Sequence, residues 1–436
     1  MNEEFIIEGG HPLNGNILPQ GNKNEALPVL CASLLNPHGV EVHNLPLIED
    51  IRNLIKVMDY LGVETNTIEN DKHNVKVHAD LVKSGDLPAE LITPLRGSIT
   101  LMAPVLARTG KVFMPRPGGD KIGRRRIDTH LLALKALGAN IEIFHDGYLL
   151  TCDEFIGTDI LLDEASVTGT ENAVMAAAIA KGETVIENAA SEPHVQGLCR
   201  FLQAQGVQIE GIGSNVLKIV GVEACENLQP AKHFVGPDYL EIGSFISMAA
   251  LTGGDMTIEK ILPRDLRMIL AVMQRLGIEC EFVAENNRTN LRIAPKQKLE
   301  IQTDVHGEIP KIDDAPWPMF PADLISIALV TATQCSGNVL IHEKMFESRL
   351  YFTDKLIGMG AKIVLCDPHR AVIMGPSKLF GSSMTSPDIR AGMALVIAAL
   401  AAEGRSTIQN IIQIDRGYEN IDQRLRALGA KISRVS

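Results

Sequence analysis

One short phrase, repeated six times, limits what this chain can become. A helix-ending residue, a glycine and a small apolar residue recur at Leu61-Gly62-Val63, Leu137-Gly138-Ala139, Gln205-Gly206-Val207, Leu276-Gly277-Ile278, Met359-Gly360-Ala361 and Leu428-Gly429-Ala430. The intervals are roughly 70 to 80 residues. Glycine suits the left-handed position that closes a helix, and the alternation after it, as in Asn140-Ile141-Glu142-Ile143, reads as a half-buried strand. Each copy is a corner from helix to strand. Alanine-rich helices that are apolar on nearly every face accompany the corners, for example Ala173 to Ala180 and Ala394 to Ala402, with others around Leu30, Val105, Met248 and Ala328. Such helices belong inside a core.

Six strand–helix units could form a solenoid, a closed ring or two clusters of three. Solenoid repeats run to about 20 to 45 residues, so units of this length read as small subdomains. Two clusters of three give an α/β protein with lobes of about 200 residues, an ordinary domain size. The expected division is 23–236, carrying the loop around Asp120, and 1–22 with 237–436. The N-terminal strand Phe5 to Gly10 would pair in the second lobe. A ligand would lie in the cleft between the lobes, where small molecules often bind.

The 436 residues are 45% apolar and 22% charged, with a net charge of −12. An acidic chain lacks the general basic face of a nucleic-acid binder, so its local arginine clusters point to a small anion. Seven scattered cysteines with no CxxC pair favour a reducing, cytoplasmic setting over disulfides or a zinc site. Acids where a signal peptide has bases, and no apolar run near the roughly 20 residues that span a bilayer, argue against export or insertion. Phosphate-loop and dinucleotide fingerprints and histidine–cysteine metal spacings are all missing, so no cofactor and no metal are expected.

Pro115-Arg116-Pro117-Gly118-Gly119-Asp120 is followed by Lys121, Arg124, Arg125 and Arg126. Two prolines and two glycines keep Asp120 off a helix or central strand. By itself the segment fits a solvated surface loop as well as a lid that carries an acid to an anionic substrate.

Here the residues resemble a known family. Gly21-Asn22-Lys23-Asn24-Glu25-Ala26-Leu27-Pro28 is similar to the Lys-Asn signature of the enolpyruvyl transferases, Pro117 to Arg125 to their catalytic loop, Phe320-Pro321-Ala322-Asp323 to their second acidic motif, and Ile414 to Glu419 to their C-terminal arginine motif. The likeness runs in register along essentially the whole chain, and is strongest to members acting on UDP-N-acetylglucosamine. It implies a two-lobed inside-out α/β barrel of six βαβαββ units, three per lobe.

The resemblance also implies an activity, transfer of the enolpyruvyl group of phosphoenolpyruvate to the 3-hydroxyl of UDP-N-acetylglucosamine with release of phosphate. That is the committed step of peptidoglycan synthesis, and so bears on cell shape and division. Asp120 would protonate the enol carbon and Asp323 would accept the hydroxyl proton; Asp323 also suits a helix N-cap before the apolar run Leu324 to Val330. Lys23, Asn24, Arg125 and Arg416 would meet the phosphate side of phosphoenolpyruvate, and Arg349 and Arg390 its carboxylate, through planar forks that lysine lacks. Asn24, Arg96, Arg125, Arg126, Ile127, Asp128, Ser166, Val167, Asp323 and Met345 would meet the sugar nucleotide.

Asp120 stands where the family usually has a cysteine, so insensitivity to the epoxide fosfomycin is expected. Asp313 and Asp314 match no family position and read as loop acids. Glu164, Ala322, Trp317 and Tyr239 depart from the family on the acceptor side. They leave open a different nucleotide-sugar or nucleoside acceptor, or a nucleotide-sugar sensor without catalysis; a shikimate 3-phosphate enzyme fits the motifs less well.

Overall fold

The structure, a computed structural model, describes residues 3–119, 122–285 and 288–435. They divide into two compact units. One comprises Gly21–Gly119 and Arg125–Gly236; the other takes the chain up to Gln20, a short stretch ending at Arg124, and the chain from Pro237 onward.

Among the described residues there are six small sheets, three in each unit. One unit of the repeat shows the common plan. Strand Lys311–Asp313 leads through helix Ile325–Ala332 to the parallel strand Gly337–His342. Helix Thr353–Gly358 then leads to Lys362–Asp367 and Arg370–Gly375, and the last of these inserts antiparallel between its two neighbours. The sheet built from Gly15–Ile17, Met256–Ile258, Cys280–Glu285 and Arg288–Ile293 repeats that order.

Two sheets are completed by strands distant in sequence. Glu4–Glu8 lies between Arg405–Gln409 and Lys431–Val435, and Ala231–Phe234 adds to Val40–His43. One repeat is shorter. Its sheet has only Lys111–Pro115, Gly147–Thr151 and Asn140–Ile143, with a single bridge from Asp86 to Phe113 in place of the first strand.

The six corner glycines all adopt positive φ, between 83° and 113°. At Gly277 the requirement is double, because a Cβ would also sit 2.4 Å from the Lys298 carbonyl oxygen. The helices with no polar face are the buried ones. Tyr239–Thr252, Ile325–Ala332 and Ile389–Ala401 pack together in one unit, and Lys23–Ser33 and Val167–Ala177 lie in the core of the other. Each enclosed leucine or isoleucine on them contributes about 1.5–3 kcal/mol of transfer free energy.

Amphipathic helices such as Glu49–Tyr60, which buries Ile51, Leu54, Val57 and Met58, and alternating strands such as Glu183–Glu187 separate these cores from solvent. Among the described residues no helix is long and apolar enough to cross a membrane.

The buried helices also set where anions can be held. Lys23, Ser166, Asp323 and Arg390 all lie within the first turn, or at the cap, of a buried helix. Such ends carry the positive end of the helix dipole, which favours anions.

Candidate active site

In the unit that contains the chain from Pro237 onward, three of the expected residues form one hydrogen-bonded group. Asp323 Oδ1 accepts from Arg349 Nη2 at 3.1 Å, and Asp323 Oδ2 accepts from Arg390 Nε at 3.1 Å, with Nη2 at 3.0 Å. Both arginines are almost fully buried, at 3% and 5% exposure, whereas the Asp323 side chain is 30% exposed. The acid is therefore the part that solvent or a ligand reaches.

Asp323 does not cap its helix. Pro321 and Leu324 hold the cap positions, and the arginines take the carboxylate instead. Asp388 caps the neighbouring helix, accepting the Arg390 and Ala391 N–H groups at 2.8 and 2.9 Å, and so fixes the backbone beneath Arg390.

Tyr418 completes this side. Its hydroxyl accepts from Arg390 Nη1 at 3.2 Å and lies 3.1 Å from Ser244 Oγ. Burial pulls the Arg390 guanidinium toward neutrality, but Asp323, Tyr418 and Asp238 outweigh it and hold the cation. Asp238, which caps Tyr239–Thr252, is pushed up to about 6 by burial, against the pull of Arg390. Arg416 lies two residues before Tyr418 and donates to Gln413 at 2.8 Å. Met345 is exposed at the turn that leads to Arg349.

The other unit holds the remaining expected residues in two groups. Lys23 and Asn24 open helix Lys23–Ser33 behind an Asn22 cap, and Lys23 Nζ pairs with Asp50 at 2.5 Å. Glu25, next on that helix, holds His233 Nε2 at 2.8 Å and the Gly236 N–H at 3.1 Å. The second group is centred on Arg96, which donates to the carbonyls of Pro117, Arg125 and Arg126 at 3.4, 3.1 and 3.2 Å. Burial, and then Arg125, lower Arg96 to about 10, so it is a cation at neutral pH.

Arg126 in turn reaches Asp163 at 2.6 Å and Asp128 at 3.4 Å, and Glu164 lies 3.8 Å away. Ile127 caps helix Asp128–Ala136, while Ser166 caps Val167–Ala177 through the Gly169 N–H at 3.2 Å. Those two helices are joined by His130, whose Nε2 lies 3.1 Å from Thr168 Oγ1 and whose Nδ1 accepts from Asn172 at 2.9 Å. Burial drives His130 down to about 3; it is a neutral linker, not an acid or base. Arg126 to Asp128 and Ser166–Val167 are thereby brought side by side.

Asp120 and Lys121 lie outside the described residues. Their C-terminal neighbours are placed: Ile122 O accepts from Ser348 N–H at 3.0 Å, and Glu347 Oε2 accepts from Arg124 N–H at 3.2 Å. Tyr239 opens a buried helix, and its ring lies 5.8 Å from that of Trp317, so two of the four acceptor-side departures pack on each other. Asp314, read as a loop acid, directly follows strand Lys311–Asp313 and is fully buried. Asp50, Asp163, Asp388 and Tyr418 were not singled out from the sequence. Only Asp388 had a legible signal, an acid two residues before Arg390 at the start of an apolar helix.

All seven cysteines are free. Burial pushes Cys31, Cys199, Cys280 and Cys335 up to about 12 and Cys225 to about 11, and Cys366 is exposed.

The sequence profile of the family described as EPSP synthase (3-phosphoshikimate 1-carboxyvinyltransferase) matches residues 7–425. A UDP-N-acetylglucosamine 1-carboxyvinyltransferase of Treponema denticola is 52% identical over 429 residues, 98% of each chain. The protein of the same name from Bacteroides thetaiotaomicron is 50% identical over 438 residues, 99% of each chain. The chain belongs to the enolpyruvyl transferase family.

As an enolpyruvyl transferase it shares its fold with the enolpyruvyl transferase NikO of Streptomyces tendae, at a TM-score of 0.87 and 22% identity over 100% of this chain and 99% of that one. An EPSP synthase of Acinetobacter baumannii matches at 0.75 and 18% identity over the whole of both chains. The α/β fold of six small sheets, expected from the resemblance and in keeping with the six glycine corners, is the fold these enolpyruvyl transferases have.

Proposed function

We propose that the chain transfers the enolpyruvyl group of phosphoenolpyruvate to the 3-hydroxyl of UDP-N-acetylglucosamine and releases phosphate, the committed step of peptidoglycan synthesis. The observation that carries this reading is the Asp323–Arg349–Arg390 group, in a chain about half identical, end to end, to carboxyvinyltransferases of that name. A buried pair of arginines suits a planar carboxylate, and an accessible carboxylate anchored to both suits a base next to it.

The chemistry runs in two steps. The sugar hydroxyl adds to C2 of phosphoenolpyruvate as Asp323 takes its proton and Asp120 gives a proton to C3. The C2–O bond to phosphate then breaks as C3 loses a proton, and the enol ether forms. Lys23, Arg125 and Arg416 offset the phosphate charge, and Arg349 and Arg390 hold the carboxylate. Asn24, Arg96, Arg126, Ile127, Asp128, Ser166, Val167 and Met345 meet the sugar nucleotide. Both substrates are small anions of the cytoplasm, where we place the enzyme.

An aspartate at position 120 leaves no thiolate for fosfomycin to alkylate there, and the buried thiols of Cys31, Cys199, Cys225 and Cys335 are poor nucleophiles. We therefore expect insensitivity.

The test is phosphate release from phosphoenolpyruvate with UDP-N-acetylglucosamine and, separately, with shikimate 3-phosphate or other nucleotide sugars. Turnover with UDP-N-acetylglucosamine alone supports the reading. Turnover only with another acceptor would move the assignment to the Glu164, Ala322, Trp317 and Tyr239 side.

A further inference from the structure

Asp314 and Glu343 form a buried acid pair that takes no direct part in the proposed chemistry. They come directly after neighbouring parallel strands in which Asp313 is paired with His342, so they are the next residues in register. Both are fully buried. Asp314 accepts the Lys344 N–H at 2.5 Å through Oδ1 and the Met345 N–H at 3.3 Å through Oδ2. Glu343 Oε1 accepts the same Met345 N–H at 3.2 Å and that of Phe346 at 3.1 Å.

Two carboxyl oxygens thus converge on one amide. Two like charges so close, away from water, cannot both persist. A single proton held by the pair removes the conflict. Burial, together with the contact with Asp314, pushes Glu343 up to about 9 against the attraction of Arg349, so Glu343 keeps that proton at neutral pH.

The turn these acids fold leads directly into Arg349. Glu343 Oε2 lies 3.5 Å from Arg349 Nε, the Phe346 ring lies 4.9 Å from the guanidinium carbon, and Arg349 Nη1 is buried without a hydrogen-bond partner among the described residues. We propose that Asp314 and Glu343 are a proton-sharing positioning pair that folds residues 344–348 around three backbone amides and thereby aims Arg349 at the carboxylate of the substrate. This rests on the enolpyruvyl reading above.

The other titratable groups packed here are accounted for. Asp313 is paired with Lys311 and Lys344, Asp323 with Arg349, and His369 Nδ1 lies 2.8 Å from the Glu343 carbonyl oxygen rather than against its side chain.

The raised Glu343 sets the sign of the pH effect. It binds its proton more tightly in the folded chain than in the unfolded one, where a glutamate titrates at about 4.3. Its stabilising contribution is complete below that value and is lost progressively as pH rises toward about 9. Glu343→Gln, neutral throughout, escapes the loss.

The experiment measures kcat, KM for each substrate, and thermal midpoints from pH 5 to 9 for the parent, Glu343→Gln, Glu343→Ala and Asp314→Asn. We expect Glu343→Gln to keep both KM values within about threefold, while its midpoint relative to the parent climbs with pH. Glu343→Ala should raise KM for phosphoenolpyruvate about tenfold or more and KM for UDP-N-acetylglucosamine, which Met345 of the same turn meets, by clearly less. Asp314→Asn, which also removes the need for a shared proton, should flatten the midpoint's pH dependence even if Glu343→Ala fails to fold. Equal slopes in the parent, Glu343→Gln and Asp314→Asn would overturn the shared proton, and equal rises in both KM values in Glu343→Ala would overturn the positioning role. Absence of turnover in the parent would refute the enolpyruvyl reading separately, because the midpoint series needs no substrate.

Discussion

Replacing Asp323 by asparagine separates two jobs that the proposed function gives to one side chain. The carboxylate accepts one hydrogen bond from Arg349 Nη2 and one from Arg390 Nε, each at 3.1 Å, and pairs with Arg390 Nη2 at 3.0 Å. Asparagine has one oxygen and one NH2. If the oxygen faces Arg390, the NH2 meets Arg349 Nη2 donor to donor; turned around, it meets Arg390. One charged hydrogen bond is lost and the others weaken, at about 1.5–3 kcal/mol for a bond to a charged group. Because Asp323 is 30% exposed, water replaces part of the loss, so a net destabilisation of about 1–3 kcal/mol is expected.

The kinetic signature is more specific. With the competing carboxylate neutralised, Arg349 and Arg390 should bind the phosphoenolpyruvate carboxylate as well as before or better, so its KM should not rise. The base is gone, so kcat should fall about 10²- to 10⁴-fold. Steady-state phosphate release, with calorimetry to confirm folding, measures both. A folded variant whose kcat stays within about threefold of the parent, with KM for phosphoenolpyruvate raised tenfold, would refute the argument and make Asp323 a holder of arginines only.

Arg349→Lys keeps the charge but loses the planar fork, and should raise KM for phosphoenolpyruvate by about 10- to 100-fold while KM for UDP-N-acetylglucosamine changes little. Gly277→Ala forces a side chain onto a backbone at φ 83° and into the Lys298 carbonyl, so a loss of about 2 kcal/mol or more in denaturant unfolding is expected, against almost none for an alanine on the exposed face of Pro263–Arg275. Asp120→Cys should be inactivated by fosfomycin in a time-dependent way while the parent is expected to resist it; inactivation of the parent at a similar rate would contradict the assignment of Asp120.

The fold was legible because its signals are local. Gly62, Gly138, Gly206, Gly277, Gly360 and Gly429 take the positive φ that their context required, and helices without a polar face, such as Ala394 to Ala402, had to be buried. The family, too, could be read from motifs in register. What the sequence hid depends on partners far apart. Arg126 meets Asp163 across 37 residues, and Glu25 meets His233 across 208. Asp323 looked like a helix cap because the cap signal is local, while the arginines that take its carboxylate lie 26 and 67 residues away. Asp314 read as a loop acid because only strand pairing places it beside Glu343, away from water.

In the proposed reaction an enolpyruvyl group, not a phosphoryl group, moves to UDP-N-acetylglucosamine. Phosphoenolpyruvate labelled with 18O in the oxygen that bridges carbon and phosphorus tests this directly, with mass spectrometry of both products. Cleavage between C2 and the bridging oxygen predicts that the label leaves in inorganic phosphate and that the sugar nucleotide gains an unlabelled carboxyvinyl ether. Label retained in pyruvate, with phosphate transferred to the sugar nucleotide or to water, would contradict the account.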